Sequence, residues 1–200
     1  MLRAALAAAA GGRLEVEIGC GNGIFLADYA AARPHSVCLG IDLKKRRCEK
    51  AQQKVERHGL ANAFVVNDRA EAVLEELPPG SVHVFHIYFP DPWPKSRHRR
   101  RRFLRGGILD RMADTLAPDG RILFATDFLD YHVQARVLFA WHPELLLDDA
   151  DAPRGADRST FAVRLAGVGA GMRVACAYKP RPRAAAPARA SSVYRASAAK

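Results

Sequence analysis

The sequence predicts an α/β fold in which a mostly parallel, seven-stranded sheet carries helices on both faces. Three observations predict it. Five short apolar, strand-like runs alternate with five helix-like runs, glycine- or proline-bearing turns punctuate them, and two β-like runs follow near the end. Alternation of this kind gives parallel strands joined by crossover helices, and such sheets bind ligands outside the carboxyl ends of their strands.

Met1–Ala10 is apolar apart from Arg3, but its apolar run is short and Gly11-Gly12 leads straight into the first strand. It reads as a short N-terminal helix or a frayed end rather than a signal peptide. Leu14–Ile18 is the first strand, Gly19–Gly23 a tight turn, and Ile24–Ala32 a helix closed ahead of Pro34. Val37–Leu43 is a buried strand containing Asp42, and Lys44–His58 is a helix with a basic first half and Gly59 as its C-cap. Ala63–Asn67 is the third strand, Ala70–Leu77 a helix, and Pro78-Pro79-Gly80 a turn. Val82–Phe89 is the fourth strand and Phe103–Leu116 the next helix. Pro118-Asp119-Gly120 is a turn, Arg121–Thr126 the fifth strand, and Leu129–Trp141 a helix whose Phe139 and Trp141 are expected in the core. Thr160–Leu165 and Arg173–Tyr178 supply the final β pair. The expected division is a short segment at 1–13, one domain at 14–179, and a tail at 180–200. The Ala/Pro/Arg/Ser composition of that tail cannot bury a core and reads as disordered.

The formal charge is +10, and its distribution is informative. Lys95–Arg105 holds seven basic residues and no acid, and Lys179–Lys200 holds six more, again without an acid. Removing these 13 from the 31 basic residues leaves 18 against 21 acidic ones. Positive charge is thus segregated as on a surface that meets a polyanion, while a solvated basic tail remains the plain alternative for the C-terminal run. No apolar run reaches the ~18–20 residues of a membrane span. Cys20, Cys38, Cys48 and Cys176 lack metal-ligand or disulfide-framework spacing, which suits a reducing cytosol. His83 and His86 fall on opposite faces of the fourth strand and do not chelate one metal together.

The carboxyl ends of the strands carry the chemistry. Glu17-Ile18-Gly19-Cys20-Gly21-Asn22-Gly23 follows the first strand, and glycines there let a ligand approach the backbone. Asp42 ends the second strand, placed to accept ribose hydroxyls, and Asp68 follows the third, placed to meet an adenine edge. A glycine turn alone also opens nicotinamide-binding domains. Two details favour S-adenosylmethionine: the spacing is G-x-G-x-G, and Glu17 before it would repel a pyrophosphate but attract a cationic amino acid.

After the fourth strand comes Phe89-Pro90-Asp91-Pro92-Trp93-Pro94-Lys95, then Ser96 and the run Arg97-His98-Arg99-Arg100-Arg101-Arg102. Three prolines stiffen the loop and hold Asp91 over the ligand end of the sheet. Trp93 packs under the loop or stacks on a base. The basic residues beyond it suit the phosphates of a folded nucleic acid.

This segment, FPDPWPKxRHxxRR, resembles the signature of bacterial tRNA (guanine-N7)-methyltransferases, together with Glu17-Ile18-Gly19, Gly40-Ile41-Asp42, Asp68 and Ala125-Thr126-Asp127. The resemblance covers Leu14 to about Trp141, and Ser159–Arg164 more loosely. It implies a Rossmann-like class I methyltransferase fold, S-adenosylmethionine as cofactor, tRNA as partner, and guanine 46 of the variable loop as target. The cysteine spacing already points to a cytoplasmic protein with no metal, and a monomer or homodimer is expected. Glu17, Gly19, Gly21, Asp42, Asp68 and Asp91 would hold the cofactor, with Asp91 catalytic. Lys95, Asp127 and Ser159-Thr160-Phe161-Ala162 would contact the guanosine, and Arg97–Arg102 would lie against the RNA.

The chain departs from that pattern in three places. Asp42 replaces a glutamate, Ala162 stands where the family has a glutamate in T-x-[FY]-E-x-[KR], and the extension many relatives have before the first strand is nearly absent. Ala162 leaves open a non-catalytic RNA-binding protein on the same fold, which titration with S-adenosylmethionine would separate. A small-molecule methyltransferase would leave the arginine run unexplained, and a nicotinamide enzyme would have to bind NAD.

Overall fold

The computed structural model describes residues 1–148 and 171–182. The chain runs α1 (Leu2–Ala8), β1 (Arg13–Ile18), α2 (Ile24–Ala31), β2 (Ser36–Asp42), α3 (Lys45–Arg57), β3 (Ala63–Asn67) and α4 (Ala70–Glu76). It continues through β4 (Val82–Tyr88), a 3-10 helix at Ser96–Arg101, α5 (Gly106–Thr115), β5 (Leu116–Thr126), α6 (Leu129–Trp141), β6 (Leu146–Asp148) and β7 (Arg173–Tyr178). The strands form one sheet in the order β3-β2-β1-β4-β5-β7-β6. The first five are parallel, and β7 pairs antiparallel with both β5 and β6. The chain builds outward from β1 to β3, then restarts on the other side of β1 with β4. A crevice forms between strand ends at such a reversal.

Burial explains the composition of the strands. Helices cover both faces of the parallel part, so every residue of β2 is buried and β1 is buried from Leu14 to Ile18. The helices alternate instead: in α3, Cys48, Ala51 and Val55 face the core while the other residues are polar and mostly exposed. Leu2 and Ala5 of α1 bury beside β2 and β3, so the N-terminal segment is a docked helix.

Two sequence expectations change. Pro118-Asp119-Gly120 is a bulge inside β5 rather than a turn before it. Val82 faces Leu116 while Val84 faces Arg121, and Asp119 adopts φ 62°. The bulge is held to the end of β7 by Asp119 N–H donating to the Lys179 carbonyl (2.8 Å) and Lys179 N–H donating to that of Gly120 (2.9 Å). A Cβ on Gly120 would lie 2.7 Å from the Ala117 carbonyl oxygen, which is why glycine stands there. Trp141 is 85% exposed, not core. Tyr131, Ala135 and Phe139 occupy the buried face of α6 at four-residue steps, and that period turns Trp141 outward beside Val137, Val133 and Leu129. On the side away from β5, β7 pairs with Leu146–Asp148, too short to show alternation in sequence; the strand expected at Thr160–Leu165 lies outside the described residues, as does the tail beyond 182. No helix among the described residues is long and apolar enough to cross a membrane.

Candidate active site

Sheet order brings five separated acids to one edge. Asp68 follows β3, Asp42 ends β2, Glu17 lies near the end of β1, Asp91 follows β4 and Asp127 follows β5. Glu17 pairs in register with Gly40 and His86, and Asp42 with Asn67, so neighbouring acids stand on strands spaced about 4.8 Å apart.

The glycine turn is built from both ends. Gly19 and Cys20 donate their N–H groups to the Ile41 carbonyl (2.8 and 2.9 Å), and Gly21 N–H donates to Asp42 Oδ2 (3.0 Å). The other carboxylate oxygen of Asp42 accepts from Lys44 N–H at 2.8 Å. Asp42 therefore braces the loop as well as ending the strand. Gly19 and Gly21 have positive φ (80° and 56°), and a Cβ on either would meet open space. Only backbone faces that space. Gly23 serves packing instead: its Cβ would lie 2.6 Å from that of Ala51, so its absence lets α2 and α3 touch.

Glu17 is buried, and among the described residues its Oε2 has no hydrogen-bond partner. Burial, reinforced by the charge of Asp42, pushes its carboxyl up to about 8. A buried carboxylate without a cation is costly, so at neutral pH the free protein keeps this acid protonated. Two residues earlier, on the same face of the strand, Glu15 is treated differently. Burial opposes its ionisation, but bonds from His86 and Tyr29, with Arg13 alongside, outweigh it and hold the carboxyl down at about 2. Tyr29 Oη donates to Glu15 Oε2 at 2.7 Å, and His86 Nε2 lies 3.2 Å from the same oxygen. Burial lowers the pKa of His86, and its Nδ1 is 2.9 Å from the Tyr88 hydroxyl. A neutral imidazole donating to Glu15 and accepting from Tyr88 satisfies every group. Sequence reasoning missed this network. The alternation of Glu15 and Glu17 along β1 was its one visible trace. His83 is elsewhere, accepting from Leu14 N–H at 3.3 Å.

The proline loop leaves β4 through Phe89, whose N–H donates to the Ala125 carbonyl (2.8 Å) and whose φ is 52°. Trp93 also has positive φ, 42°. Asp91 and Lys95 are exposed, and among the described residues neither side chain has a hydrogen-bond or ion-pair partner. Trp93 is half-buried, with His98 edge-on at 5.8 Å and the Arg101 guanidinium 4.9 Å from its ring, so it packs the loop against the 3-10 helix.

Arg102 corrects an expectation. It was expected against RNA with its neighbours, but its side chain is fully buried. Its Nε donates to the Pro92 carbonyl (2.8 Å), Nη1 to Gln134 Oε1 (2.5 Å) and Nη2 to Asp130 Oδ2 (2.6 Å), with the Tyr131 ring 4.8 Å away. A guanidinium is the one side chain whose planar fork can meet three such acceptors at once. Arg102 thus ties the carbonyl next to Asp91 onto α6. Arg99 pairs with the other oxygen of Asp130 at 2.5 Å while remaining half exposed. Arg97, Arg100 and Arg101 are exposed, and His98 is half-buried.

Asp127 is half-buried at the end of β5, its carbonyl accepting from Arg173 (2.9 Å). It lines an open cleft of about 540 Å³ with Phe128, Leu129, Asp130, Val133 and Arg173. Ser159, Thr160, Phe161 and Ala162 lie outside the described residues. Among the described residues no group of three or more His, Cys, Asp or Glu is gathered as a metal site, and the four buried cysteines form no disulfide.

Residues 12–159 match the family described as "Putative methyltransferase". The chain belongs to this methyltransferase family. Members similar to it include proteins named tRNA (guanine-N(7)-)-methyltransferase from Geobacter metallireducens and Bordetella parapertussis. The first is 42% identical over 60% of this chain and 57% of its own length. The second is 38% identical over 70% and 56%. The chain thus spans about half the length of these curated relatives. Among solved structures, the 16S rRNA (adenine(1408)-N(1))-methyltransferase of Catenulisporales acidiphilia, determined with its cosubstrate SAM, superposes with TM-score 0.60 at 17% identity over 93% of this chain and 94% of that one. The antibiotic-resistance methyltransferase Kmr gives 0.59 at 20% identity over 88% and 91%. These likenesses establish the class I methyltransferase fold.

Proposed function

We propose that this methyltransferase family member transfers a methyl group from S-adenosylmethionine to N7 of a guanine in tRNA, the target being guanine 46 of the variable loop. The observation that carries the reading is the proline-braced loop after β4, with a partnerless Asp91 at one end and exposed arginines at the other. Relatives named for that activity support the choice of base and RNA.

The residues present fit the cofactor. Glu17 offers a buried carboxyl oxygen without a partner, where an ammonium group would draw the acid into its ionised form, and the bare backbone at Gly19 and Gly21 faces open space. Asp42 and Asp68 supply carboxylates for ribose and adenine on the adjoining strands. S-adenosylmethionine, once bound, supplies an electrophilic sulfonium methyl group.

Guanine N7 already carries an in-plane lone pair, so no residue here has to remove a proton. What the protein must do is hold N7 in line, and positioning of that kind lowers barriers by up to ~7–11 kcal/mol. Positive charge grows on the guanine during transfer. Asp91, fixed by its prolines and by the hold of Arg102 on Pro92, stabilises that charge. Asp127 and Lys95 contact the guanosine, and the cleft beside Asp127 is roomy enough for a purine. Extruding a base from folded tRNA costs a few kcal/mol, which phosphate contacts from Arg97–Arg101 offset.

The test is incubation with unmodified tRNA and methyl-labelled S-adenosylmethionine, followed by digestion to nucleosides. Label is expected in 7-methylguanosine. Label in another nucleoside, or none beside tight cofactor binding, refutes the assignment.

A further inference from the structure

The basic charge of this chain has a third concentration besides the loop and the tail. Lys44–Arg57, the turn after Asp42 with α3, holds seven basic residues against two acids. Setting this segment aside with the two basic runs leaves 11 basic against 19 acidic residues in the rest of the chain. The surplus here is local.

Helix geometry arranges it as a ridge. At 3.6 residues per turn, Arg46, Lys50, Lys54 and Arg57 fall within about 80° of one another, on the side of the helix turned away from the buried Cys48, Ala51 and Val55. Glu49 and Glu56 stand to one side of the ridge. Among the described residues none of these four cations has a side-chain hydrogen bond or ion pair, in contrast to Arg47, which lies 3.8 Å from Asp42. Like charges held together on a rigid surface without partners repel one another, and a polyanion relieves that repulsion.

Placement names the polyanion. The ridge begins at the carboxyl end of β2, the same edge that carries the arginine loop after β4. In the sheet order only β1 separates these strands, so the two basic elements flank the glycine turn across about 10 Å. From that edge α3 extends for roughly 20 Å. We infer that the α3 ridge (Arg46, Lys50, Lys54 and Arg57) is a second phosphate-binding surface for the RNA, so that the substrate is gripped from both sides of the cofactor crevice. The inference rests on the tRNA reading above and extends it to an element carrying no methyltransferase motif.

The test is the salt dependence of tRNA binding and the kinetics of methyl transfer in Arg46→Ala/Lys50→Ala/Arg57→Ala, which leaves Lys44 and Arg47 beside Asp42 untouched. Three lost phosphate contacts lower the slope of log K against log salt by roughly 2–3. KM for tRNA rises about tenfold or more, while kcat at saturating tRNA and S-adenosylmethionine affinity stay at wild-type values. Glu49→Lys/Glu56→Lys broadens the ridge and is expected to steepen the slope, a gain that misfolding cannot mimic. A triple variant with unchanged slope and KM, or a double variant with no gain, overturns the ridge while leaving the tRNA assignment standing. Wild-type protein that does not bind tRNA overturns both.

Discussion

Replacing Glu17 with Gln separates what this acid costs the fold from the role proposed for it at the cofactor. The carboxyl sits at about 8 in the folded protein against 4.5 when unperturbed, because it is buried and Asp42 is near. Below pH 4.5 both folded and unfolded states hold the proton, and ionisation of Glu17 contributes nothing to stability. Between 4.5 and 8 the unfolded chain alone releases it, so stability falls by about 1.4 kcal/mol per pH unit. Above 8 both states are ionised and the penalty is constant. Gln has nearly the same shape and cannot ionise. The variant should therefore be more stable than wild type by about 1 kcal/mol at pH 5 and about 3 kcal/mol at pH 7, to order of magnitude. Urea denaturation of cofactor-free protein at these two pH values measures it. S-adenosylmethionine should reverse the ranking, since a cationic ligand favours the ionised acid that only wild type possesses. A variant equal to or less stable than wild type at pH 7, or a difference that does not grow with pH, would refute the buried, unpaired acid. Retention of full cofactor affinity would refute its role.

Three further outcomes are expected. Asp91→Asn should lower kcat about hundredfold, as for loss of one preorganised charge, with little change in Tm because Asp91 is exposed and partnerless among the described residues; a large fall in Tm would make it structural. Arg102→Ala should cost about 2–4 kcal/mol by stranding Pro92, Gln134 and Asp130. Arg102→Lys should recover little of that in thermal denaturation, and full recovery would mean that charge alone suffices. Arg97→Ala/Arg100→Ala should flatten the salt slope of tRNA binding by roughly 1.5 without altering S-adenosylmethionine affinity; loss of cofactor binding would show that the run supports the site rather than the RNA.

Much was legible in the chain because it is written in local chemistry. Apolar runs broken by Gly and Pro mark β1 to β4 and α2, α3, α4 and α6 within a residue or two, since burial on both faces of a parallel sheet tolerates little else. The positive φ values at Gly19, Gly21 and Gly59 follow from residue type at a turn. The bulge at Pro118–Gly120 was not legible, because a strand that continues through turn residues depends on what pairs with it, here the end of β7. Trp141 went wrong for a related reason: near a helix end one step of 100° decides between core and solvent, and hydrophobicity does not encode it.

The acids show the division most clearly. Sequence alone determined that Glu17, Asp42, Asp68, Asp91 and Asp127 each follow or end a strand, because strand and turn are local properties. Only the tertiary structure decided that Glu17 would be buried beside Asp42 and hold its proton while Glu15, two residues away, would be ionised among His86, Tyr29 and Arg13. Likewise six consecutive basic side chains look alike in sequence, yet Arg102 is an internal strut and Arg100 an exposed cation. A charge's meaning is set by the dielectric and partners around it, and those come from elements distant in the chain.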